Sequence, residues 1–305
     1  MQEANGQKFL ILGASSFIGR RLYREMGIES AVGTYCQNPI ETARYYDSEK
    51  MDVADIIEDD EEYSHAIILL GNTQPDSCFA NPVQSHALNV QSIIRLIDSL
   101  HSMNIVPVFL SSQFVFDGEK GKYVEEDEVN PILLYGSQKV VVEHYLEDNI
   151  DDFLILRLGN VYGDDSSDGT LFTSWMDSLS EGVRYIKCAS DQRFSATHVA
   201  DVVQAILATI ENGCTGTFHV AGPVGFSRSD LLMILLAKLN ERVLLDVEVE
   251  FCSIQDFGLP EVRPRDVTLC PNRLTKETGI TLITPEGFCE RIVYEYVSNG
   301  KMVGD

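Results

Sequence analysis

Three short stretches carry residue types that could do chemistry. Tyr135 and Lys139 are four apart in Tyr135-Gly136-Ser137-Gln138-Lys139, a spacing that puts both on one side of a helix. An ammonium beside a phenol favours the phenolate and lowers the tyrosine pKa from about 10. That makes the phenol a proton donor and acceptor near neutral pH. The same spacing also fits an exposed pair on a solvated helix. Ser111 and Ser112 close an apolar run and place hydroxyls at its end. Such hydroxyls can orient a polar ligand, or only satisfy a loose backbone group. The third stretch, 10–20, reads L-I-L-G-A-S-S-F-I-G-R. Gly13 permits a tight turn and Gly19 lets a helix approach a strand, while Ser16 stands where a dinucleotide-binding loop more often has a third glycine. Backbone N–H groups at the start of a helix bind pyrophosphate. Ser16 is expected to be tolerated there, with its main-chain N–H facing the phosphates. An ordinary strand-to-helix turn would read the same way.

The elements around these stretches alternate. Apolar runs at 9–12, 66–70 and 105–111 read as buried parallel strands, joined by further strands at 30–35 and 153–158. Helical spacing covers 16–26, 82–101 and 131–146, the second opening on Pro82, where a missing N–H costs nothing. Strands alternating with helices predict an α/β fold with a doubly wound parallel sheet. Its ligands bind beyond the carboxyl ends of the strands, at Gly13, Tyr35, Gly71, Ser111-Ser112 and Gly159. Beyond residue 160 the pattern loosens into a smaller mixed lobe. Helices are predicted there at 171–181, 198–211, 228–239 and 286–299, and strands at 184–187, 216–220 and 247–253.

Composition narrows the classes. The 305 residues are 44% hydrophobic and 23% charged, ordinary for a globular protein. No apolar run approaches the roughly 20 residues of a membrane helix, and residues 1–8 show no basic segment leading into an apolar core, so no signal peptide is expected. The net charge of −24, from 47 acidic and 23 basic residues, argues against nucleic acid and anionic membranes as partners. The acidic runs at 58–62, 125–128 and 164–165 read mostly as solvated loops or helix ends. The seven cysteines are scattered and contain no C-x-x-C, so neither a disulfide framework nor a metal site is expected, and a reducing cytoplasm is.

Taken in order, further segments resemble a known family. Thr73, Asp76, Cys78 and Asn89-Val90 match a Thr-x-x-Asp-x-Cys segment and the helix after it. Residues 111–118 match Ser-Thr-Asp-Tyr-Val-Phe-Asp-Gly, 135–139 match Tyr-Gly-x-x-Lys, and 157–163 match Arg-x-x-x-Val-Tyr-Gly. Residues 191–201 match Asp-Gln-x-x-Ser-Pro-Thr-x-Val-x-Asp, and 218–222 with Arg263-Pro264 also have counterparts. The chain resembles the extended short-chain dehydrogenase/reductases, within them the dTDP-4-dehydrorhamnose reductase branch of sugar-nucleotide reductases. It departs from that pattern at Ser16, Ser112, Gln113, Phe114 and Ala196.

The resemblance implies a Rossmann-type NAD(P)-binding domain over 1–160, to which segments near 190–222 return, and a mostly substrate-binding lobe over 161–305. It implies Ser112, Tyr135 and Lys139 as the catalytic set. Cofactor binding falls to Gly13, Ser15, Ser16, Phe17, Ile18 and Gly19 in the loop and to Thr34 after the second strand. It also falls to Asp52 and Val53 (the adenine contact), to Leu70, Gly71 and Thr73, to Asn89 and Ser111, and to Tyr135 and Lys139. Gln113, Phe114, Asn160, Arg193 and Arg263 are implied near the substrate. The implied reaction is NAD(P)H-dependent reduction of a nucleotide-activated 4-keto-6-deoxy sugar, in a chain that could form a homodimer. Residues 33–38 hold no acid for a ribose 2′-hydroxyl, and Arg20 and Arg21 follow the loop, which favours NADP(H) over NAD(H). An epimerase that keeps its NAD, and a regulatory subunit like the β subunit of methionine adenosyltransferase, are the alternatives.

Overall fold

The computed structural model describes residues 8–58 and 61–302, which divide into two compact units. Unit 1 comprises residues 1–115, 129–157 and 206–218; unit 2 comprises 116–128, 158–205 and 219–305.

In unit 1, β1 (Lys8–Leu12), β2 (Ala31–Tyr35), β3 (Arg44–Tyr45), β4 (Tyr63–Ile68), β5 (Val106–Ser112) and β6 (Leu154–Leu158) form a sheet with the strand Gly216–Val220. The order is Gly216–Val220, β6, β5, β4, β1, β2, β3. The pairs β1–β2, β1–β4, β2–β3 and β4–β5 are parallel. The order reverses beside β1, so the carboxyl ends of β1 and β4 form the topological switch point where open α/β sheets bind ligands.

Helices α1 (Phe17–Met26), α2 (Pro75–Ala80), α3 (Pro82–His86), α4 (Ser92–Ser102) and α5 (Leu134–Asn149) complete this unit. Leu10, Leu12, Ala66, Ile68, Phe109 and Ile155 pack with Ile93, Leu96, Ile97 and Leu100 of α4 and Val142 and Leu146 of α5. The alternating Ile11, Ile67 and Val108 are equally buried, as strands covered on both faces require. That explains why these strands read as unbroken apolar runs.

The structure adjusts several predicted elements. The helix predicted over 82–101 is interrupted by a π-helical turn, Ala87–Gln91, between α3 and α4. Helix α5 starts at Leu134 rather than at Pro131, because Leu133 is extended (φ −106°, ψ 144°) and Asn130 N–H is tied to Val115 O. Strand β4 begins at Tyr63 and ends at Ile68, so Leu70 lies beyond it.

The acidic run at 58–62 is not simply solvated. Asp59 and Asp60 lie outside the described residues, but the Glu61 carboxylate is buried. It accepts from Arg44 Nη1 (2.7 Å) and Nη2 (3.0 Å), Tyr63 OH (2.6 Å) and Lys8 Nζ (3.1 Å), joining β1, β3 and β4. The Arg44 hydrogen bonds above all hold its pKa down at about 2. A depressed carboxylate stabilises the fold above its unfolded pKa of about 4.5 and loses that as pH falls toward the folded value. Glu61→Gln should therefore cost on the order of 1–3 kcal/mol at pH 7. It should also flatten the loss of stability between about pH 4.5 and 2, read by urea melts across that range. Equal slopes for both proteins would remove Glu61 from the acid limb.

Unit 2 holds β7 (Asn160–Tyr162), β8 (Tyr185–Ala189), β9 (Arg193–His198), β11 (Gly225–Ser227) and β12 (Glu248–Cys252), with the Gly216–Val220 strand as β10. Strands β11, β9 and β7 form one sheet, and β12 and β8 another. The helices are α6 (Leu171–Ser180), α7 (Val199–Glu211, which runs on into unit 1), α8 (Arg228–Asn240), α9 (Asn272–Thr278) and α10 (Pro285–Ser298). Other acids of the predicted solvated runs have partners here as well. Glu125 accepts from His219 N–H (2.9 Å), and Asp164 lies 3.0 Å from Arg291. Among the described residues no helix is long and apolar enough to cross a membrane.

Candidate active site

The opening loop is built as a tight turn at the switch point. Gly13 has φ +94°, and its N–H donates to Thr34 Oγ1 (2.9 Å). Gly19 packs against the turn so closely that a Cβ would lie 2.2 Å from Gly13 O. Any larger residue would push α1 off β1.

Ser16 differs from its expected role. Its N–H turns inward to Gly13 O (3.0 Å), so it does not face outward toward a phosphate. Its hydroxyl caps α1 by accepting from Gly19 N–H (3.1 Å). The helix N–H groups left for an anion are those of the first turn after the cap, which have no intrahelical acceptor. Phe17 and Ile18 occupy it. Glycine at an N-cap costs only a few tenths of a kcal/mol relative to serine. Ser16→Gly should then change NADPH affinity by less than about tenfold, roughly 1.4 kcal/mol. A larger gain in a fluorescence titration would mean that the serine impairs the loop.

Residues beyond the neighbouring strands converge on the same edge. Gly71 has φ +122°, and a Cβ there would meet Asn89 Oδ1 at 2.8 Å. Asn89 comes from the π-helical turn. Its Oδ1 accepts from Asn72 N–H (2.7 Å), and its Nδ2 donates to Asn72 O (3.0 Å) and to Gln138 Oε1 (2.7 Å). Gln138 Nε2 then donates to Ser85 Oγ (2.8 Å). A buried amide chain thus ties the loop after β4 to α5, one residue from Lys139. Thr73 is exposed on that loop. Asp52 and Val53 line a cavity of about 240 Å³ with Tyr46, Ser48, Lys50 and Arg95, and Asp52 also accepts from Ser99 OH (3.1 Å).

The predicted catalytic residues come together. Ser112 ends β5, while Tyr135 and Lys139 share the buried stripe of α5 with Glu143. Gly136 sets the approach: a Cβ there would lie 2.0 Å from Phe114 O, so only glycine lets α5 close on the turn after Ser112. The Phe114 ring meets Tyr135 edge-on at 6.4 Å.

The electrostatics differ from the expected pattern. Burial pushes the Tyr135 pKa well up, and only the hydrogen bond with Ser112 opposes it. Lys139 does not lower it. The ammonium sits 5.8 Å from the Tyr135 ring centroid, donates to Leu110 O (2.7 Å) and lies over Phe109 (4.5 Å). Burial lowers Lys139 itself to about 8, against the pull of Glu143. Desolvation is the largest cause of both shifts.

Glu143 was not singled out from the sequence, and Arg157 stood there only as the first residue of the Arg-x-x-x-Val-Tyr-Gly match, with no role given to it. Arg157 Nε donates to both Glu143 oxygens (3.1 Å each) and Nη2 to Oε2 (2.7 Å). The signal for Glu143 was its place four residues after Lys139. Ser111 Oγ and Gln113 Oε1, on either side of Ser112, are buried without a hydrogen-bond partner. That is uncommon in folded proteins.

All the predicted catalytic and cofactor residues fall in unit 1, with Gln113 and Phe114. Asn160, Arg193 and Arg263 fall in unit 2. Asn160 opens β7 and pairs with Ala196. Arg193 lies between Asp230 (3.6 Å) and Asp266 (3.9 Å), and Arg263 is buried.

Such a sheet, opening on a glycine turn at its switch point with serine, tyrosine and lysine beside it, is that of the extended short-chain dehydrogenase/reductases. Within that class the chain belongs to the RmlD substrate binding domain family, whose model matches residues 7–296. It is similar to the probable low-salt glycan biosynthesis reductase Agl14 of Haloferax volcanii, 29% identical over 285 residues, 90% of this chain and 94% of that one. Methionine adenosyltransferase 2 subunit beta of Rattus norvegicus is 25% identical over 278 residues, 87% of this chain and 76% of that one. The fold is shared with dTDP-4-dehydrorhamnose reductase from Bacillus anthracis str. Ames, solved in complex with NADP. The TM-score is 0.80 at 22% identity, covering 95% of this chain and 100% of that one.

Proposed function

We propose that the protein reduces the keto group of a nucleotide-activated 4-keto-6-deoxy sugar with NAD(P)H, NADPH being the favoured reductant. The observation that carries this reading is the gathering of Ser112, Tyr135 and Lys139 in one buried cluster at the carboxyl edge of the sheet. The residues fit a nicotinamide dinucleotide. The Gly13–Gly19 approach brings backbone close to a pyrophosphate, and the unpartnered Ser111 and Gln113 oxygens offer acceptors for polar groups of a ligand. The preference for NADPH rests on the absence of an acid over residues 33–38 and on Arg20, exposed on α1. Arg21 donates to Phe17 O (3.2 Å) and stacks over the Phe17 ring.

A bound nicotinamide supplies the hydride. The chain's own residues manage the proton and the carbonyl. Tyr135, with its pKa raised, holds its proton through neutral pH and gives it to the carbonyl oxygen as that oxygen gains negative charge. Ser112 donates to the same oxygen and orients it. Lys139 supplies a desolvated cation beside the phenol and hydrogen-bond donors for a ribose. Gln113, Phe114, Asn160, Arg193 and Arg263 are the proposed substrate residues.

The test is NADPH and NADH oxidation with dTDP-, GDP- and CDP-linked 4-keto-6-deoxy sugars. Turnover with at least one of them, faster with NADPH, is expected. The likeness to methionine adenosyltransferase 2 subunit beta favours a second reading, a partner protein that keeps the nucleotide-binding fold. Such a chain would bind NADPH and oxidise none of it on the whole panel.

A further inference from the structure

The buried amide chain beside Lys139 has a single polarity. It starts on the main chain of Asn72, whose N–H donates to Asn89 Oδ1 (2.7 Å) and whose carbonyl accepts from Asn89 Nδ2 (3.0 Å). Those two bonds fix which way the Asn89 amide faces, and the second Nδ2 hydrogen goes to Gln138 Oε1 (2.7 Å). The Gln138 amide is oriented in turn, and its Nε2 donates to Ser85 Oγ (2.8 Å). The Ser85 hydroxyl, having accepted there, turns its own hydrogen toward Cys78 O and Pro82 O (3.2 Å each). Asn89, Gln138 and Ser85 are all buried. Both ends of the chain thus rest on main chain between residues 72 and 82, in the connection that follows β4, and Gln138 of α5 is inserted in the middle. Adjacent helical residues point about 100° apart. Gln138 accordingly meets this connection while Lys139 reaches Leu110 O on β5. Helix α5 is held on two sides, all within unit 1.

We propose that Gln138 is a positioning residue for the reduction, holding the loop after β4 and the Tyr135–Lys139 stripe of α5 in one geometry around the dinucleotide. The inference rests on the nicotinamide-dinucleotide reading under the proposed function. Gln138 acts through Asn89 on one side and through its chain neighbour Lys139 on the other. Gly71 in the loop sits so close to Asn89 that a Cβ there would lie 2.8 Å from Oδ1, so a shift of Asn89 shifts the loop. A fully satisfied buried network specifies one arrangement, because any slip leaves a donor or an acceptor unpaired. Leucine at 138 fills similar space and removes both hydrogen bonds. The second Nδ2 hydrogen of Asn89 then has the Cys78 sulfur, 3.6 Å away, as its remaining acceptor, and thioether and thiol sulfurs accept only weakly.

The experiment compares the wild type, Gln138→Leu and Ser85→Ala by NADPH fluorescence titration, by steady-state reduction of a nucleotide-linked 4-keto-6-deoxy sugar and by thermal melting. Gln138→Leu should weaken NADPH binding about tenfold and lower kcat by about tenfold or more, as misplaced reacting groups do, with KM for the sugar unchanged. Ser85→Ala, which alters only the far end of the chain, should move the same two quantities in the same direction by less. The double variant should be no worse than Gln138→Leu alone, since both act through one network. A purely structural glutamine would lower the melting temperature and leave the NADPH affinity and kcat of the folded protein at wild-type values; that result would overturn the proposal. If Gln138→Leu did not fold, wild-type affinity and kcat in Ser85→Ala would overturn it in the same way. If NADPH affinity depended on Gln138 and Ser85 while no keto sugar was reduced, the positioning role would stand and the reductase reading would fall.

Discussion

Tyr135→Phe should lower turnover by about 10²- to 10⁴-fold, the usual worth of a positioned general acid. It should leave NADPH affinity within about threefold, because the ring and the fold survive. The substitution removes one oxygen from a buried ring whose hydroxyl is hydrogen-bonded to Ser112. The loss of stability should be near 1 kcal/mol, that of one hydrogen bond. Steady-state kinetics and a thermal melt on the same preparation separate the two effects. A Phe enzyme with near wild-type turnover would mean that another group, or water, delivers the proton.

Arg157→Met should be the most damaging single substitution for stability. It strands the Glu143 carboxylate, whose side chain is 1% exposed, without its bidentate partner. Removing one member of a buried ion pair costs about 3–5 kcal/mol, which for a chain of this size lowers Tm by roughly 5–8 °C. The double variant Glu143→Leu/Arg157→Met should recover most of that loss, since replacing both members leaves no unpaired buried charge. A double variant no more stable than Arg157→Met would show that packing, not charge, holds the pair. Glu143 also raises the Lys139 pKa from below. Without Glu143, Lys139 should lose its proton below pH 8, and activity should fall at a lower pH than in the wild type.

The sheet was legible because its strands are buried on both faces and so read as unbroken apolar runs. The proposed catalytic residues were legible through type and spacing: a hydroxyl at a strand end, then Tyr and Lys one helical turn apart. What the sequence hid is tertiary. Strand β9 reads R-F-S-A-T-H, too polar for a core strand, yet Ser195 and Thr197 are fully buried. Ser195 exchanges hydrogen bonds with the Leu269 backbone. The π-helical turn follows no residue pattern; it places Asn89 against the loop after β4. Gly136 stood inside the Tyr-Lys motif, but its need for glycine comes from Phe114 O, distant in sequence. Reading Lys139 as the agent that lowers the Tyr135 pKa assumed solvent-like surroundings. Burial of both groups reverses the sign. Ser16 shows the same limit in the opening loop. Its type fits the turn, but only the geometry shows that it caps α1 and turns its N–H inward.

The central claim, hydride delivery to a sugar carbonyl, is tested most directly by isotope transfer. The protein would be incubated with NADPH carrying deuterium at both positions on C4 of the nicotinamide and with a nucleotide-linked 4-keto-6-deoxy sugar. The product would then be read by NMR. The account predicts one deuterium at C4 of the sugar, in a single configuration, for each NADPH consumed. A product epimerised without deuterium, or NADPH bound and unconsumed across the sugar panel, would contradict it.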